Sequence, residues 1–344
     1  MKEYIIHLEP QSSYEISLHS DTIFGAICWG IRTLFGETRL VQILDEFADS
    51  PPFLISSTFP YKKDEDTFKY FLPMPLLKPL SIQDLEAQIS KDKKKVKELY
   101  HSAKYERVVI SNKYKEFRKI KFIGISNFSR IINEPKESEL FTDYLSNLLS
   151  EPRFYVVGSA QKNSLDRLTK STTGSGNTFY VPEIAYREKF GVYFLLQCQS
   201  IDDYLRPVLK LLEDSGIGPN AKTGKNWFKV LISEGPLLTR NITQEGSSFI
   251  TLSRYLKNEP ICSIGSYYKI TNVRSKVESR FEFAGNDVWK NRVSYFTAGS
   301  MIMPEKIKAY YGRLAPVKII NGKTIYQYGY AYPVWVNCGG KHEV

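Results

Sequence analysis

The stretch Gly216-Ile-Gly-Pro-Asn-Ala-Lys-Thr-Gly-Lys225 joins a helix-like apolar segment, Tyr204–Leu212, to a strand-like segment, Trp227–Ile232. Glycines adopt positive φ values at little cost, so such a loop can bring backbone N–H groups close to a phosphate. Its candidate phosphate-binding residues are three glycines and two lysines: Gly216, Gly218, Lys222, Gly224 and Lys225. The other interpretation of the same residues is a glycine that caps a helix, followed by an ordinary turn.

Outside this loop, the predicted elements follow the order strand, helix, strand, strand, helix, strand. The segments that carry this pattern are Glu3–Leu8, Ser20–Phe35, Arg153–Ser159, Phe190–Gln199, Asp202–Glu213 and Trp227–Ser233. The first helix is the best defined, because Ser20-Asp21 offers an N-cap and apolar residues follow at helical spacing up to Gly36. This order is that of a ferredoxin-like βαββαβ unit, an antiparallel sheet with its helices on one face, which RNA-recognition domains use. The predicted fold class is therefore α+β.

Gly235-Pro236 marks the predicted boundary between two modules. Residues 1–235 would form the first ferredoxin-like module, and residues 236–344, which are rich in short strand-like runs, would form a second, β-rich and degenerate one. Inside the first module, residues from about 60 to 151 are predicted to be an insertion. Gln161–Lys189 is predicted to be a long, mobile β-hairpin, because its middle holds turn residues and no apolar anchors.

Four local predictions concern the region before and within this insertion. A second helix is predicted at Leu40–Ala48, and an exposed helix at Ile82–Ser102, whose lysine run favours a solvated face. Phe71–Pro79 is predicted to be a packed loop without regular structure, since three of its residues are prolines. Residues 106–151 are predicted to be irregular, because charged and polar residues are mixed along them.

Composition favours a nucleic-acid partner. The 344 residues carry a formal net charge of +10, and 14% of them are aromatic. Phosphates need cations, and unpaired bases need flat faces. The four cysteines lack CxxC spacing, and the acidic clusters at 64–66 and 202–203 have no neighbouring histidine or cysteine, so neither a metal nor another cofactor is expected. Without an apolar run of ~18 residues, a signal sequence or a nucleotide-binding loop, the chain is expected to be cytoplasmic and to have no membrane partner.

Four stretches resemble sequences of the repeat-associated (RAMP) RNA-binding proteins of CRISPR effector complexes. They are Leu18-His-Ser-Asp-Thr-Ile-Phe-Gly-Ala-Ile27, Phe71-Leu-Pro-Met-Pro75, the loop at 216–225, and Val273-Arg-Ser-Lys-Val-Glu-Ser-Arg280 together with Tyr295-Phe-Thr-Ala-Gly-Ser300. They are spread over most of the chain, and their order makes the set more specific than any one of them. Most narrowly, the chain resembles the fourth Csm subunit of type III-A complexes.

The resemblance implies two ferredoxin-like modules and a subunit that is not an enzyme. Such a subunit binds the 5′ repeat-derived tag of the CRISPR RNA, docks the large polymerase-like signature subunit and begins the filament of backbone RAMP subunits. It meets target RNA only indirectly. The hairpin at 161–189 would be the thumb of the family, which folds over the guide RNA. Within it, Arg167 and Lys170 would face phosphate, and Phe179 or Tyr180 would pack on a base.

Two further pairs complete the predicted RNA-binding residues. Ser20 and Asp21 lie at the start of the first helix. Arg274 and Lys276 alternate as on a strand, so their side chains share one face, which either lines the tag or is simply solvated. The loop departs from the family at one position: RAMP loops often close with Gly-x-Gly, whereas Asn226 stands last here. Asparagine tolerates a positive φ better than most residues, so we expect the shape of the loop to be kept.

Two other functions fit the same sequence. His19 lies near the position where RAMP endoribonucleases that process CRISPR RNA have a general acid or base, so the first alternative is such an enzyme. In those enzymes the glycine loop lies near the C-terminus, whereas over a hundred residues follow it here, which favours a non-catalytic subunit. The second alternative is a free-standing RNA-binding protein, which would be distinguished by its lack of stable protein partners.

Overall fold

The computed structural model describes all residues except 15–17, 66, 92–105, 165, 167, 173–177, 219–220, 239–246, 279–286 and 337–344. The helices of the described part are α1 (Ser20–Glu46), α2 (Ile82–Lys91), α3 (Glu106–Phe117), α4 (Ile125–Asn133), α5 (Glu137–Leu145) and α6 (Leu205–Ser215). The strands are β1 (Lys2–Pro10), β2 (Phe53–Ile55), β3 (Phe59–Asp64), β4 (Thr67–Pro73), β5 (Phe122–Gly124), β6 (Tyr155–Asn163), β7 (Thr178–Tyr186), β8 (Phe190–Cys198), β9 (Phe228–Glu234), β10 (Ser248–Thr251), β11 (Ile261–Tyr267), β12 (Ile270–Val273), β13 (Val293–Phe296), β14 (Met301–Pro304), β15 (Leu314–Ile320), β16 (Lys323–Tyr328) and β17 (Pro333–Val336). The protein is a mixed α+β structure in which strands predominate, as the sequence predicts.

The chain forms two compact units, and each is assembled from three separate segments. Unit 1 consists of Met1–Lys69, Arg153–Leu237 and Leu314–Tyr328, and unit 2 consists of Tyr70–Pro152, Leu238–Arg313 and Gly329–Val344. The sequence suggested a single boundary at 235–236. Two segments differ from that expectation. Tyr70–Pro152, which includes most of the predicted insertion, lies in unit 2, and Leu314–Tyr328, from the expected second module, lies in unit 1.

The main sheet of unit 1 has the antiparallel order β3-β8-β1-β9, and β2 also pairs with β8. Strand β8 lies inside the sheet because Gly191–Cys198 is an almost unbroken apolar run that is buried throughout. Helices α1 and α6 pack closely: a Cβ at Gly30 would lie 2.6 Å from Val208 Cγ1, so only glycine fits there. The predicted helix break at Gly36 is confirmed as a kink inside α1, where Gly36 has φ = 85°.

The segment predicted as the second sheet strand, Arg153–Ser159, does not join this sheet. It falls largely in β6, which pairs with β7 alone in a separate two-stranded ribbon. Most of the β6 side chains are exposed, whereas Phe53, Ile55 and Phe59 of β2 and β3 are buried and fill the place beside β8. The short strands β2 and β3 therefore pair with β8, because their apolar side chains can be buried there, whereas most side chains of β6 remain in solvent.

The core of unit 1 is completed by Leu314–Tyr328, which forms the hairpin of β15 and β16. The ring of Tyr328 lies 5.3 Å from that of Phe24 on α1, centroid to centroid. Its hydroxyl accepts a hydrogen bond of 3.1 Å from the backbone N–H of Ile55. The sequence had placed this segment in the second module. Its aromatic end is needed in unit 1, because it covers both the first helix and the β2 strand.

Unit 2 is built around a four-stranded antiparallel sheet with the order β11-β14-β10-β17. Its core consists of buried aromatic and aliphatic side chains, Phe249, Tyr255, Phe296, Ile302, Tyr311 and Ala331. Helices α2 to α5 belong to the same unit. The predicted helix at Ile82–Ser102 is observed as α2 as far as Lys91, and its lysine-rich remainder lies outside the described residues.

The prediction that residues 106–151 are irregular is wrong, because they contain α3, β5, α4 and α5. The buried apolar side chains of these helices include Phe117, Phe128, Ile131, Ile132, Leu140 and Phe141. Glu137, in the first turn of α5, is also buried and accepts hydrogen bonds from Arg118 at 2.6 Å and from the Tyr114 hydroxyl at 2.7 Å. In the sequence, a buried glutamate cannot be told from a surface one. The pattern of apolar and charged residues therefore does not reveal which face of these helices is packed.

Two of the stretches that carry the family resemblance meet in unit 2. Strand β4 includes Phe71–Pro73 and pairs with β5, so the prediction of a loop holds only from Met74 onward. Proline is tolerated there because it is the last residue of the strand. The N–H of Leu76 donates to the carbonyl oxygen of Gly299 at 2.8 Å. Gly299 has φ = 89°, and a Cβ there would lie 2.6 Å from the carbonyl oxygen of Met74. Only glycine fits this contact.

Gly299→Ala is expected to lower the free energy of unfolding by roughly 3 kcal/mol, because it combines a positive φ with a backbone clash. Gly322→Ala is the matched control: Gly322 also has a positive φ, of 75°, but no atom would lie within 4 Å of its Cβ. Its expected cost is about 1–2 kcal/mol. Chemical denaturation of the full chain measures both. Equal losses for the two variants would show that the approach of Met74 adds no cost.

Candidate nucleic-acid interface

The loop after α6 has the backbone that its glycines suggest. Gly216, Gly218 and Gly224 have φ values of 74°, 84° and 82°. Asn226, the position that departs from the family pattern, has φ = 57°. The expectation that asparagine keeps a positive φ here is therefore confirmed. The N–H of Gly216 donates to the carbonyl oxygen of Leu212 at 2.8 Å, so this glycine also ends α6, as the alternative interpretation holds.

Four backbone N–H groups of this loop are already engaged within the protein. The donors are Gly216, Ile217, Gly224 and Asn226, and their acceptors are the carbonyl oxygens of Leu212, Asn226, Ala221 and Ser13, at 2.8–3.2 Å. These groups can bind a phosphate only if an existing hydrogen bond breaks. The glycines therefore shape the loop, and phosphate contacts would fall to its other groups. Residues 219–220 and the side chain of Lys222 lie outside the part of the chain that the structure describes.

The loop lies against the first turn of α1. A Cβ at Gly218 would lie 3.5 Å from both Leu18 Cδ2 and Thr22 Cγ2. Ser20 is fully buried, and its backbone N–H donates to the hydroxyl of Ser57 at 3.2 Å. The glycine loop and the start of α1, which the sequence selected independently, are therefore neighbours.

Asp21 is buried in the same turn. Its side chain is only 9% exposed, and Oδ2 accepts a hydrogen bond of 2.9 Å from Nε2 of Gln327. The sequence assigned RNA contact to both Ser20 and Asp21. Both side chains are buried at the N-terminus of a long helix, where the helix dipole has its positive end.

Lys225 connects the loop to the β6–β7 ribbon. Its Nζ forms an ion pair with Glu183 on β7 and donates to the hydroxyl of Ser13 at 2.7 Å, and that hydroxyl donates to Glu183 at 3.0 Å. Hydrogen bonds from Lys225 and then Ser13 hold the pKa of Glu183 below its ordinary value. Beside this pair, Tyr14 and Ile184 exchange backbone hydrogen bonds of 2.7 and 2.5 Å. The charge of Lys225 is thus committed to the protein itself.

The β6–β7 ribbon presents apolar and aromatic side chains to solvent. Nine residue pairs join its strands, and the hairpin begins before the predicted start at 161. Phe179 and Tyr180, near the tip, are 48% and 69% exposed, and Leu168 in the turn is 94% exposed. Lys170 lies in the same turn with φ = 53°. Arg167, the other predicted cation, lies outside the described residues.

Arg274 and Lys276 lie in unit 2, on the continuation of β12. Their side chains share one face, as the alternation predicts. Both approach the ring of Trp289: the distance to its centroid is 5.3 Å from Arg274 Cζ and 4.7 Å from Lys276 Nζ. Sequence reasoning missed Trp289, because only the pairing of the two strands places it opposite Lys276.

His19, the candidate catalytic residue of the endoribonuclease alternative, is the N-cap residue of α1. Within the described ranges, no group of three His, Cys, Asp or Glu side chains is arranged to hold a metal ion. None of the helices that the structure describes is long and apolar enough to cross a membrane.

Glu183→Gln is expected to loosen the base of the ribbon, because Lys225 loses its charged partner. We expect the amides of Tyr14 and Ile184 to exchange hydrogen about two- to five-fold faster, as measured by hydrogen–deuterium exchange. Glu234→Gln is the matched control, since Glu234 pairs with Lys2 where both side chains are mostly exposed.

Acid should have the same effect as this substitution. Since the pKa of Glu183 is lowered in the folded protein, the contact is present at neutral pH and is lost as the pH falls through that lowered value. The protection of the amides of Tyr14 and Ile184, taken relative to their intrinsic exchange rates at each pH, should then fall in the wild type but not in Glu183→Gln. Identical exchange in Glu183→Gln and Glu234→Gln would contradict a link between loop and ribbon.

No family model matches this chain. It is 28% identical over 254 residues to the CRISPR system Cms protein Csm4 of Thermococcus onnurineus (strain NA1), which covers 73% of this chain and 74% of that protein. A chain of the Csm1–Csm4 cassette solved in complex with cA4 has 21% identity, a TM-score of 0.60 and 98% of both chains covered. A chain of the Csm3–Csm4 subcomplex of the type III-A CRISPR-Cas interference complex has 16% identity and a TM-score of 0.57, over 98% of this chain and 99% of that one. The resemblance that the sequence indicates is therefore confirmed: this chain is similar to Csm4, a RAMP subunit of type III-A CRISPR effector complexes.

Proposed function

We propose that this chain is a non-catalytic, cytoplasmic subunit of a type III-A CRISPR effector complex that binds the 5′ repeat-derived tag of the CRISPR RNA. One observation carries the proposal: in unit 1, the glycine loop touches both the first turn of α1 and the base of the β6–β7 ribbon. The sequence assigned RNA binding to all three elements, which are distant along the chain. The positive dipole end of α1, the side chains of the loop and an exposed aromatic ribbon together suit a phosphate backbone with unpaired bases.

Strand order supports the classification of unit 1 as a ferredoxin-like module. Numbered by their place in a βαββαβ unit, its strands lie in the order 4-1-3-2, which corresponds to β9-β1-β8-β3. Helices α1 and α6 are the two connections between strands. Unit 2 keeps a four-stranded antiparallel sheet, but its described residues in 247–313 and 329–336 form no helix, so we propose it as a degenerate second module. The β6–β7 ribbon would then be the thumb.

The proposed roles of the site residues follow from their surroundings. Three predicted residues are buried or paired inside the protein and would position the site: Ser20, Asp21 and Lys225. The glycines would set the shape of the loop. The proposed contacts to phosphate and base are the loop and ribbon side chains Arg167, Lys170, Phe179 and Lys222.

The proposed protein partners come from the relatives. The matched structures contain Csm4 together with Csm1 or with Csm3. We therefore propose the corresponding large signature subunit and backbone subunits as partners of this chain. Target RNA would be met only through the guide RNA.

Co-expression with the other complex subunits and a CRISPR array tests the proposal. We expect the affinity-purified complex to hold RNA with one constant, repeat-derived 5′ end, determined by sequencing the bound RNA. Random 5′ ends, or purification of the chain without protein partners, would instead support a free-standing RNA-binding protein. Cleavage of repeat RNA in metal-free buffer that is abolished by His19→Ala would overturn the non-catalytic assignment.

Lys222→Gln is expected to weaken the binding of tagged CRISPR RNA roughly five-fold, because one phosphate contact is lost. The slope of log K against log salt concentration should also become shallower by about 0.7, the value for one phosphate of a single strand. Lys210→Gln is the matched control, since Lys210 is exposed on α6 and paired with Glu213. Filter binding at several salt concentrations measures both. A wild-type slope in Lys222→Gln would argue against the loop as a phosphate site.

A further inference from the structure

A second group of exposed basic and aromatic side chains lies on the β12–β13 ribbon of unit 2. Arg274 and Lys276 both approach the indole ring of Trp289, at 5.3 and 4.7 Å from its centroid. Trp289 is 43% exposed, and both cations are exposed as well. Lys276 stands opposite Trp289 across the ribbon, and Arg274, two residues earlier, lies on the same face.

The other face of this ribbon is anchored in the core of unit 2. Val277, Val293 and Tyr295 are buried, and by the alternation of side chains along the two paired strands they lie on the face opposite to Arg274 and Lys276. A ribbon with one buried face holds the backbone that carries its exposed side chains in a fixed arrangement. The three side chains therefore start from neighbouring positions before any ligand arrives, which reduces the entropy lost on binding.

A bulge in the ribbon brings Trp289 to its position. Val273 pairs with Val293, whereas Lys276 pairs with Trp289, so three steps along one strand correspond to four along the other. The extra residue therefore lies on the strand that carries the tryptophan. Bulges of this kind redirect side chains and are common beside functional sites.

The positive charges of Arg274 and Lys276 differ from the positive charge of Lys225 in their partners. Neither Arg274 nor Lys276 forms a salt bridge with a carboxylate of the described residues, whereas Lys225 is paired with Glu183. Two positive charges beside one ring repel each other, and an anion bound between them would relieve that repulsion. An exposed cation gains little from an aromatic ring, and a base stacked on the same ring gains more. A ligand with both a base and a phosphate can thus displace the internal contacts.

We propose that Arg274, Lys276 and Trp289 bind an unpaired nucleotide of single-stranded RNA. The base stacks on the indole, and the two cations turn from the ring to the flanking phosphates. An acidic peptide would occupy the cations but leave the indole without a partner, so the cluster favours RNA. The inference deepens the RNA-binding role proposed above and rests on it for the identity of the ligand, although this cluster belongs to unit 2 and the glycine loop to unit 1.

The test uses the full chain and a fluorescently labelled single-stranded RNA of about ten nucleotides. Trp289→Ala is expected to lower the affinity about 5- to 100-fold, the range for one lost base stack, whereas Trp289→Phe should keep most of it. Arg274→Gln and Lys276→Gln should each make the salt dependence shallower by about 0.7. Binding of a duplex of the same length should not respond to Trp289→Ala, because its bases are already stacked. Ultraviolet crosslinking and mass spectrometry should place the RNA at Trp289.

Tyr326→Ala is the matched control, since Tyr326 is an aromatic residue of similar exposure, 37%, on β16. Equal affinities of Trp289→Ala and Tyr326→Ala for the RNA would overturn the proposal. So would loss of binding to a labelled acidic peptide in Arg274→Gln with RNA binding intact, because the cluster would then serve a protein partner.

The outcome is separable from that of the proposed function. A complex that holds no tagged RNA, combined with weakened single-strand binding in Trp289→Ala, would overturn the proposed function and leave this site in place. A complex that holds tagged RNA, combined with unchanged single-strand binding in Trp289→Ala, would overturn this site alone.

Discussion

The buried first turn of α1 is the constraint on which unit 1 depends. The N–H of Ser20 and the carboxylate of Asp21 leave water on folding, and each would cost stability without a hydrogen-bond partner. Ser57 supplies one partner from the link between β2 and β3, and Gln327 supplies the other from a segment near the C-terminus. Three distant parts of the chain must therefore meet before the start of this helix is stable.

The glycine loop and the β6–β7 ribbon follow from that arrangement. Positive φ values let the loop pass close to Leu18 and Thr22, and internal hydrogen bonds close it. Lys225 then links the loop to the ribbon through its ion pair with Glu183. A cation that holds the site together is not at the same time free to hold RNA. The proposed contacts to RNA accordingly fall to side chains that face outward.

For the site, conformations that depend on neighbouring residues could be predicted from the sequence, and contacts between distant segments could not. The positive φ of Asn226 could be predicted because asparagine tolerates that conformation locally. The pairing of Lys225 with Glu183 could not, because it depends on how β7 lies beside the loop. Trp289 escaped notice for the same reason: its relation to Arg274 and Lys276 arises from strand pairing and a bulge, not from spacing along the chain.

The sequence by itself determined the elements whose signal is local. Strands β1, β8 and β9 and helices α1 and α6 lie close to their predicted places, because apolar runs and helical periodicity are properties of neighbouring residues. Tertiary structure alone decided which strand lies beside β8, that residues 106–151 form helices, and that Leu314–Tyr328 completes unit 1. Each of these outcomes depends on which side chains become buried together. Burial is fixed by contacts between distant segments, and the order of residues along the chain does not display it.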